Sequence, residues 1–262
     1  MSLFILLPED VLVDLLSKWL SAPVVCRLDC ACCNKQSRSV LLRVLKLISF
    51  SKLGVSFSRN MFRWMITREI KCREIVYGSL QARIVGDSGL ELALASTGQS
   101  ITSFTFVSDK GRALPRFQPT HGSIRLLAKY CRDLRNFSCY YVRFPSCASG
   151  SDLFYNCKQL RNIDFNLVSS LPADFLDACF SAPHLTNLTM VKCNLSEQLY
   201  TLETSATIRS LTFSETRLTV KQVLQLCEHC PNLVNLFIES HTGFLDVVEI
   251  AYFAPCCKSA PS

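Results

Sequence analysis

The sequence contains no apolar run long enough to cross a membrane. The longest apolar run near its start, Leu3 to Leu7, is broken by Pro8 and followed by two acidic residues, whereas a membrane-spanning helix needs roughly 20 apolar residues. The run also lacks the charged flank and the small-residue cleavage site of a signal peptide. We interpret it as a buried N-terminal strand or arm, and we expect no membrane association.

The usual sequence signatures of catalysis and cofactor binding are also missing. There is neither a G-x-x-x-x-G-K phosphate loop nor a G-x-G-x-x-G nucleotide-binding turn. The four histidines lie outside any metal-binding or catalytic-triad motif. We therefore predict that the protein is not an enzyme, has no catalytic residues and uses no cofactor.

The net charge of +7 is concentrated at the N-terminal end of the chain. Residues 1–80 hold 12 lysines and arginines against 6 acidic residues, whereas the remainder holds 16 against 15. The densest basic segment interleaves charged with apolar residues and contains Arg59, Arg63, Arg68, Lys71 and Arg73. Such a segment is either a nucleic-acid patch or a solvated helix face. We favour the helix face and do not expect nucleic acid as a partner.

Cysteine, by contrast, is abundant, with 15 in 262 residues. An odd count without a signal peptide, in a chain large enough to build its own core, argues against a disulfide framework. We predict reduced cysteines that act as small apolar core residues. The expected location is the cytoplasm or the nucleus.

Two cysteine clusters have the spacing of zinc ligands. They are Cys30-Ala-Cys32-Cys33 and Cys227-Glu-His229-Cys230. A structural zinc ion needs four ligands, usually from two such pairs, and neither cluster has an evident second pair. We therefore predict no metal site.

One short phrase, apolar-x-x-apolar-x-apolar, recurs along the chain. It begins at residues 101, 134, 160, 185, 208 and 233, so successive copies are 33, 26, 25, 23 and 25 residues apart. Most of these gaps fall within the roughly 20 to 29 residues of a leucine-rich repeat. Cys72-Arg-Glu-Ile75-Val-Tyr77 has the same shape, which suggests that the repeats begin there in a degenerate form.

Each phrase predicts a short strand, and helical patterns precede the strands that begin near residues 134, 160, 185 and 233. We predict an α/β fold, a leucine-rich-repeat solenoid with parallel strands and convex helices. The fourth and sixth residues of each phrase should point into the core, because strand side chains alternate. The strand residues that point outward should form a concave face that binds a protein target. The candidates are Ser138, Tyr140, Asp164, Asn166, Thr189, Thr212, Ser214, Phe237 and Glu239.

Two further sets of residues follow the period. Cys131, Cys157 and Cys230 lie three residues before a phrase, and Cys193 lies where the repeat consensus takes Asn or Cys. Such placement predicts a packing ladder. The third position holds an asparagine in four copies, which indicates either a hydrogen-bonding rim or a solvated polar ladder: Asn136, Asn162, Asn187 and Asn235.

Residues 8–47 have a helical pattern that the repeat does not explain. Pro8 and two acidic residues favour a helix start, and apolar residues are spaced for one helix face as far as Trp19. Pro23 separates this helix from a second one, and a third runs from Val40 to Ile48. A unit of this size is too small to be stable alone, so we expect it to pack on the segment that follows.

The segment Leu7-Pro8-Glu9-Asp10-Val-Leu-Val-Asp-Leu-Leu-Ser-Lys-Trp-Leu20, followed by Val24-Val-Cys26-Arg-Leu28, resembles the F-box over roughly residues 7–35. The repeats look like the cysteine-containing class of leucine-rich repeats, which recurs together with the F-box. The resemblance implies a substrate receptor of an SCF-type ubiquitin ligase. In such a receptor the F-box docks a Skp-type adaptor held on a cullin complex, and the repeats recruit an unknown protein target.

The same resemblance implies an adaptor contact through apolar anchors that fill a groove of the partner. The residues that match are Leu7, Pro8, Val11, Leu12, Leu15, Leu16, Val25 and Leu28. The alternative is that these residues only cap the solenoid. The protein would then be a leucine-rich-repeat scaffold without a ubiquitin link.

We predict four segments. Residues 1–48 form the F-box-like helical module, 49–100 a linking helix and degenerate first repeat, 101–243 the leucine-rich repeats, and 244–262 a C-terminal cap or tail. The last segment includes an apolar stretch, Phe244 to Phe253, without a further phrase. Either a short irregular cap closes the stack or the reading frame is truncated.

Overall fold

The computed structural model describes residues 7–32, 35–53, 59–108, 118–145, 150–169, 171–193, 204–216, 218, 220–239 and 248–251. These residues form nine strands in one sheet, and the strand order follows the chain. Strands β1 to β8 are parallel, whereas β9 is antiparallel to β8. The strands are β1 Ser49–Leu53, β2 Lys71–Gly78, β3 Ser103–Val107, β4 Asn136–Tyr140, β5 Asn162–Asn166, β6 Asn187–Val191, β7 Ser210–Ser214, β8 Asn235–Glu239 and β9 Val248–Ala251.

Helices precede and connect these strands. Parallel neighbours need a crossover connection, and in six of these connections the crossover includes a helix: α4 Arg59–Arg68, α5 Ser79–Thr97, α6 His121–Tyr130, α7 Ser151–Asn156, α8 Ala173–Phe180 and α9 Val220–His229. Three helices come before the sheet: α1 Glu9–Asp14, α2 Ala22–Ala31 and α3 Lys35–Leu45. A π-helical turn, Leu15–Trp19, extends α1. The predicted alternation of parallel strands and helices is confirmed for the described residues.

The core lies between the sheet and the helices that connect its strands. The fourth and sixth residues of the phrases are buried on every strand from β2 to β8, as predicted. Phe137 on β4 stacks on Phe175 of α8 with ring centroids 6.3 Å apart, and Phe106 meets Phe137 edge to face at 5.9 Å. Aromatic pairs of this geometry add about 0.5–1.5 kcal/mol to the burial of their surface. The helices therefore cover one face of the sheet and leave the other open.

Two strands were not predicted. β1 carries no copy of the phrase, yet it pairs in parallel with β2. β9 lies within the predicted cap or tail and runs against the direction of the repeats, so the repeat pattern does not apply to it. Helix α5 is kinked at Gly86, which has φ 65°. The predicted arm at Leu3 to Leu7 falls mostly outside the described residues, and Leu7 itself packs against the core.

Each strand from β4 to β7 is followed directly by a residue in the left-handed conformation, although none of these residues is glycine. Tyr141, Leu167, Lys192 and Glu215 have φ of 59°, 55°, 54° and 51°. This conformation costs an ordinary residue roughly 1–2 kcal/mol. The cost is offset because each N–H donates to a carbonyl of the next strand, as Leu167 does to Val191 at 2.8 Å. The turn then brings the following side chain into the core.

A small residue lies three positions before each phrase because the backbone of the next repeat passes close to that position. A Cβ at Gly98 would lie 2.7 Å from the carbonyl oxygen of Tyr130. The Cys157 thiol donates to the carbonyl of Cys131 at 3.2 Å. The buried members of this series beyond Gly98 are Cys131, Cys157, Ala182, Ser205 and Cys230. The predicted cysteine packing ladder is therefore confirmed, with Ala and Ser in two of its places.

The N-terminal helices pack on the first strands, as expected from their small size. α1 contacts α3, the π-helical turn contacts β1, and α2 contacts both α3 and α4. Leu12, Leu16 and Val25 are completely buried and belong to the same core as the repeats. The three predicted helices therefore share one continuous core with the sheet.

A buried carboxylate joins these helices. Asp29 on α2 accepts hydrogen bonds from the Trp64 indole at 2.8 Å and from Arg68 Nε at 2.9 Å, both on α4. Arg38 on α3 lies 3.6 Å from the other Asp29 oxygen and donates to the Asp29 carbonyl at 3.1 Å. Arg68, from the basic segment, is thus engaged internally, whereas Arg63 is exposed on the opposite side of α4.

Replacing Asp29 with alanine is expected to destabilise the N-terminal helices. The change removes the carboxylate that Trp64, Arg38 and Arg68 contact. Because both arginines are partly solvated, we expect the free energy of unfolding to fall by about 2 kcal/mol, less than the ~3–5 kcal/mol of a fully buried pair. Urea unfolding followed by Trp64 fluorescence measures it. The control is Asp14→Ala, which removes only an exposed bridge to Lys18 and should cost less than about 0.5 kcal/mol. Equal effects of the two changes would contradict this account.

Candidate functional site: the outer face of the sheet

The face of the sheet opposite the helices, here called the outer face, carries all nine residues predicted to bind a target. Strand pairing places them in two rows. Ser138, Asp164, Thr189, Thr212 and Phe237 lie side by side in the first row, and the second row contains Tyr140, Asn166, Val191, Ser214 and Glu239. Each of the nine is partly exposed. The structure thus brings the predicted residues together on one surface; their role in binding stays a prediction.

A third row, nearer the start of the strands, contains the asparagines. Asn162 Nδ2 donates to Asn136 Oδ1 at 2.6 Å, and Asn187 donates in the same way to Asn162. Ser210 occupies the next place and separates these three residues from Asn235. Asn136, Asn162 and Asn187 therefore form a series bonded across neighbouring strands; its role as a rim that contacts a target stays a prediction.

A tyrosine–carboxylate pair lies at the middle of the outer face. The Tyr140 hydroxyl donates to Asp164 Oδ2 at 2.5 Å. Burial raises the pKa of Asp164 above its usual value, and the hydrogen bond from Tyr140 opposes that rise. Burial, reinforced by the carboxylate, raises the pKa of Tyr140 to about 12. Asp164 Oδ1 is buried and accepts no hydrogen bond from any described residue, so this carboxylate is only half satisfied.

A second polar pair lies towards β8. The Ser214 hydroxyl donates to Glu239 Oε2 at 2.6 Å across the directly opposed positions of β7 and β8. Phe237, beside Thr212 in the first row, adds an aromatic ring to this part of the face. The outer face therefore offers hydroxyl, amide, carboxylate and aromatic groups at fixed spacing, without a deep cleft lined by these rows among the described residues.

An arginine series lies at the edge of the sheet where the strands begin, here called the N-terminal edge. Sequence reasoning missed it, although the signal was present, because the second position of the phrase is arginine in four copies: Arg73, Arg135, Arg161 and Arg209. Three of the four are exposed and Arg161 is partly exposed.

The residues predicted to dock an adaptor divide into two groups. Leu12, Leu16 and Val25 are buried, whereas Leu7 and Leu28 are half-buried against the core. Pro8 is exposed, and Val11 and Leu15 are 43% and 37% exposed. Two neighbours outside the prediction are more prominent, since Trp19 is 82% and Val24 44% exposed. The buried group belongs to the core shared with the sheet, whereas the exposed group offers apolar surface to a partner.

The described cysteines are free thiols, and most are buried. Burial raises the pKa of Cys72 and Cys157 to about 12 and that of Cys193 to about 11. Cys193 donates weakly to the carbonyl of Phe165 at 3.5 Å, and Thr216 makes the equivalent bond to Met190 in the next repeat at 3.2 Å. Among the described residues no group of three or more His, Cys, Asp or Glu side chains could hold a metal ion.

The solved structures that are similar to this chain include two bacterial proteins. LegL7, a leucine-rich repeat-containing protein from Legionella pneumophila, is 14% identical with a TM-score of 0.46, over 87% of this chain and 76% of that one. An internalin from Listeria monocytogenes is 11% identical with a TM-score of 0.37, over 79% of this chain and 71% of that one. No protein-family model and no curated protein matches the sequence. In the part of the chain that the structure describes, no helix has the length and apolar character needed to cross a bilayer.

Asp164→Asn is expected to stabilise the protein at neutral pH. The folded state raises the pKa of Asp164, so it binds the carboxyl proton more tightly than the unfolded state does, and stability falls as pH rises through the folded pKa. Asparagine keeps an oxygen for Tyr140 but never ionises. The melting temperature of the variant should exceed that of the wild type at pH 7, and the difference should vanish below the ordinary aspartate pKa of about 4. A difference that is the same at pH 3 and pH 7 would refute this.

The thiols should separate into two classes under native conditions. Cys30 is exposed, whereas Cys139 and Cys179 are completely buried, and burial holds the pKa of these two thiols well above the usual value. Because the thiolate is the reactive form, iodoacetamide at pH 8 should modify Cys30 and spare the buried pair until denaturant is added. Peptide mass spectrometry resolves the sites. Early modification of Cys139 would show that its repeat is not packed as described.

Proposed function

We propose that this protein is a non-catalytic recruiting adaptor whose outer face binds a protein target. The observation that supports this best is the outer face itself. It is a broad surface on which half-buried polar groups stand in register, about 4.8 Å apart from strand to strand. Stacked repeats typically use such an extended surface to bind other macromolecules. Asp164, a partly desolvated carboxylate with an oxygen that lacks a described donor, is the residue whose environment a bound donor would improve.

We further propose that the N-terminal helices dock a Skp-type adaptor and thereby link the target to a cullin-based ubiquitin ligase. The resemblance of residues 7–35 to the F-box supports this role. The exposed residues Val11, Leu15 and Trp19 support it as well, because they follow one another at four-residue spacing, which places successive side chains on one side of a helix. Apolar side chains on one helical side can fill a groove of a partner. The docking contact would then use this exposed group and Val24 rather than the buried leucines.

A second candidate is a repeat scaffold in which the same helices only cap the sheet. The complete burial of Leu12, Leu16 and Val25 in the common core favours it. Capping of an open end by atypical terminal elements is a general need of repeat proteins. The two candidates differ in what the exposed residues do: an adaptor requires them, whereas a cap does not.

Co-purification with a Skp-type adaptor separates the two candidates. Leu12 and Leu16 are unsuitable for substitution, since an aspartate in the core would unfold the protein. Val11→Asp with Leu15→Asp places charge on the exposed group instead, and we expect capture of the adaptor to fall at least about tenfold, or ~1.4 kcal/mol. Leu92→Asp is the matched control, because Leu92 is an exposed leucine on α5, 61% accessible and far along the chain from the first helices.

Two results would reject the ubiquitin-ligase role. One is failure of the wild-type protein to retain the adaptor, and the other is retention that the double substitution leaves unchanged. Melting temperatures of the variants should match that of the wild type, which excludes unfolding as the cause of any loss. Rejection of this role would leave target binding by the outer face untouched.

A further inference from the structure

The N-terminal edge holds its arginines at fixed spacing because a backbone ladder joins the second positions of successive repeats. The N–H of each second-position residue donates to the carbonyl of the one before it, as Arg161 does to Arg135 at 2.9 Å. Thr186 donates to Arg161 at 2.9 Å, and Arg209 donates to Thr186 at 2.9 Å. The second-position residues therefore lie in one line along this edge, and the arginines among them belong to adjacent or next-but-one strands.

Three of these arginines have no carboxylate partner in the part of the chain that the structure describes. Among the described residues, no ion pair joins Arg135, Arg161 or Arg209 to a carboxylate. Arg161 Nη1 donates to the carbonyl of Lys158 at 3.0 Å, which is a bond to a neutral group. The edge thus keeps its positive charge exposed to solvent, next to the neutral asparagine ladder.

A shallow groove lies between Arg161 and Arg209. Thr186 is at its centre, His184 and Asn187 contribute to its walls, and none of the side chains that line it is acidic. It contains no phenylalanine, tyrosine or tryptophan, and such rings are the usual platforms for unpaired bases. The groove therefore suits an anionic chain that needs charge pairing and hydrogen bonds rather than base stacking.

We propose that the N-terminal edge binds an extended acidic segment of the protein target. The proposal rests on the proposed function, of which it specifies the partner's chemistry. Arg161 and Arg209 are two strands apart, which corresponds to about 9.6 Å. An extended chain in the polyproline II conformation rises about 3.1 Å per residue with about three residues per turn. Acidic side chains three residues apart then lie on one side of the chain, about 9.3 Å apart, and match that spacing. Arginine pairs in a fork with either a carboxylate or a phosphate group, so both glutamate and phosphoserine satisfy the geometry.

Binding of a labelled peptide to the full-length protein tests this proposal. The probe carries glutamates three residues apart, a second peptide carries phosphoserine at those positions, and a third carries glutamine. Arg209→Gln should weaken binding of the glutamate or phosphoserine probe about threefold to fivefold, and Arg161→Gln with Arg209→Gln about tenfold or more, since each exposed ion pair contributes modestly. Arg83→Gln, at an exposed arginine of α5, is the matched control and should leave binding unchanged.

The outcomes divide clearly. The proposal is supported if the glutamate or phosphoserine peptide binds, the glutamine peptide does not, and the arginine variants bind more weakly. The anionic peptide that binds more tightly identifies the acidic group. The proposal is overturned if neither anionic peptide binds, if the variants bind as the wild type does, or if a single-stranded oligonucleotide of equal charge binds more tightly through the same arginines. Arg209→Gln, which removes no described hydrogen bond, keeps the test valid if the double variant is less stable. Adaptor capture through Val11 and Leu15 is measured independently, so failure of one proposal does not imply failure of the other.

Discussion

The structure depends on one recurring joint between successive repeats. The carbonyl of each second-position residue accepts two hydrogen bonds from the next repeat; that of Arg161, for example, accepts from the N–H groups of Thr186 at 2.9 Å and Asn187 at 3.0 Å. The same pair of bonds joins Thr102, Arg135, Thr186 and Arg209 to the repeats that follow them. A slip of one residue at any joint would exchange the core and solvent faces of a strand, so the joint sets the register of the whole sheet.

The rows of side chains on the outer face and along the N-terminal edge follow from that register. The third positions of the phrases form the asparagine ladder, and the second positions align the arginines along the N-terminal edge. The fifth and seventh positions form the two rows of the outer face. Side chains that are far apart in sequence, such as Tyr140 and Asp164, come within hydrogen-bond distance because their strands are neighbours. The result is a surface of regularly spaced weak contacts, which suits recognition of an extended partner, whereas the buried thiols have raised pKa values that make them poor nucleophiles.

The N-terminal helices are held by a different kind of interaction. Apolar burial of Leu12, Leu16 and Val25 continues the core of the repeats, and Asp29 connects α2 to α3 and α4 through charged hydrogen bonds. A buried carboxylate is costly unless it is paired, so Asp29 specifies one arrangement of these helices on the end of the sheet. Val11, Leu15 and Trp19 remain outside that arrangement, and this exposed apolar surface is what the proposed adaptor contact would use.

The sequence alone determined the repeat, because burial at the fourth and sixth positions of a strand demands apolar residues at regular intervals. The same periodicity identified the nine outer-face residues and assigned Cys131, Cys157 and Cys230 to the core. It could not identify β9, which pairs antiparallel and breaks the period, or β1, which lacks the phrase. Nor could it distinguish the buried Leu12 and Leu16 from the exposed Val11 and Leu15, since all four are apolar. Only the packing of α3 and β1 against the first helix decides which side of that helix is buried. The pairing of Tyr140 with Asp164 likewise required the tertiary structure, because it arises from a contact between repeats that local sequence does not encode.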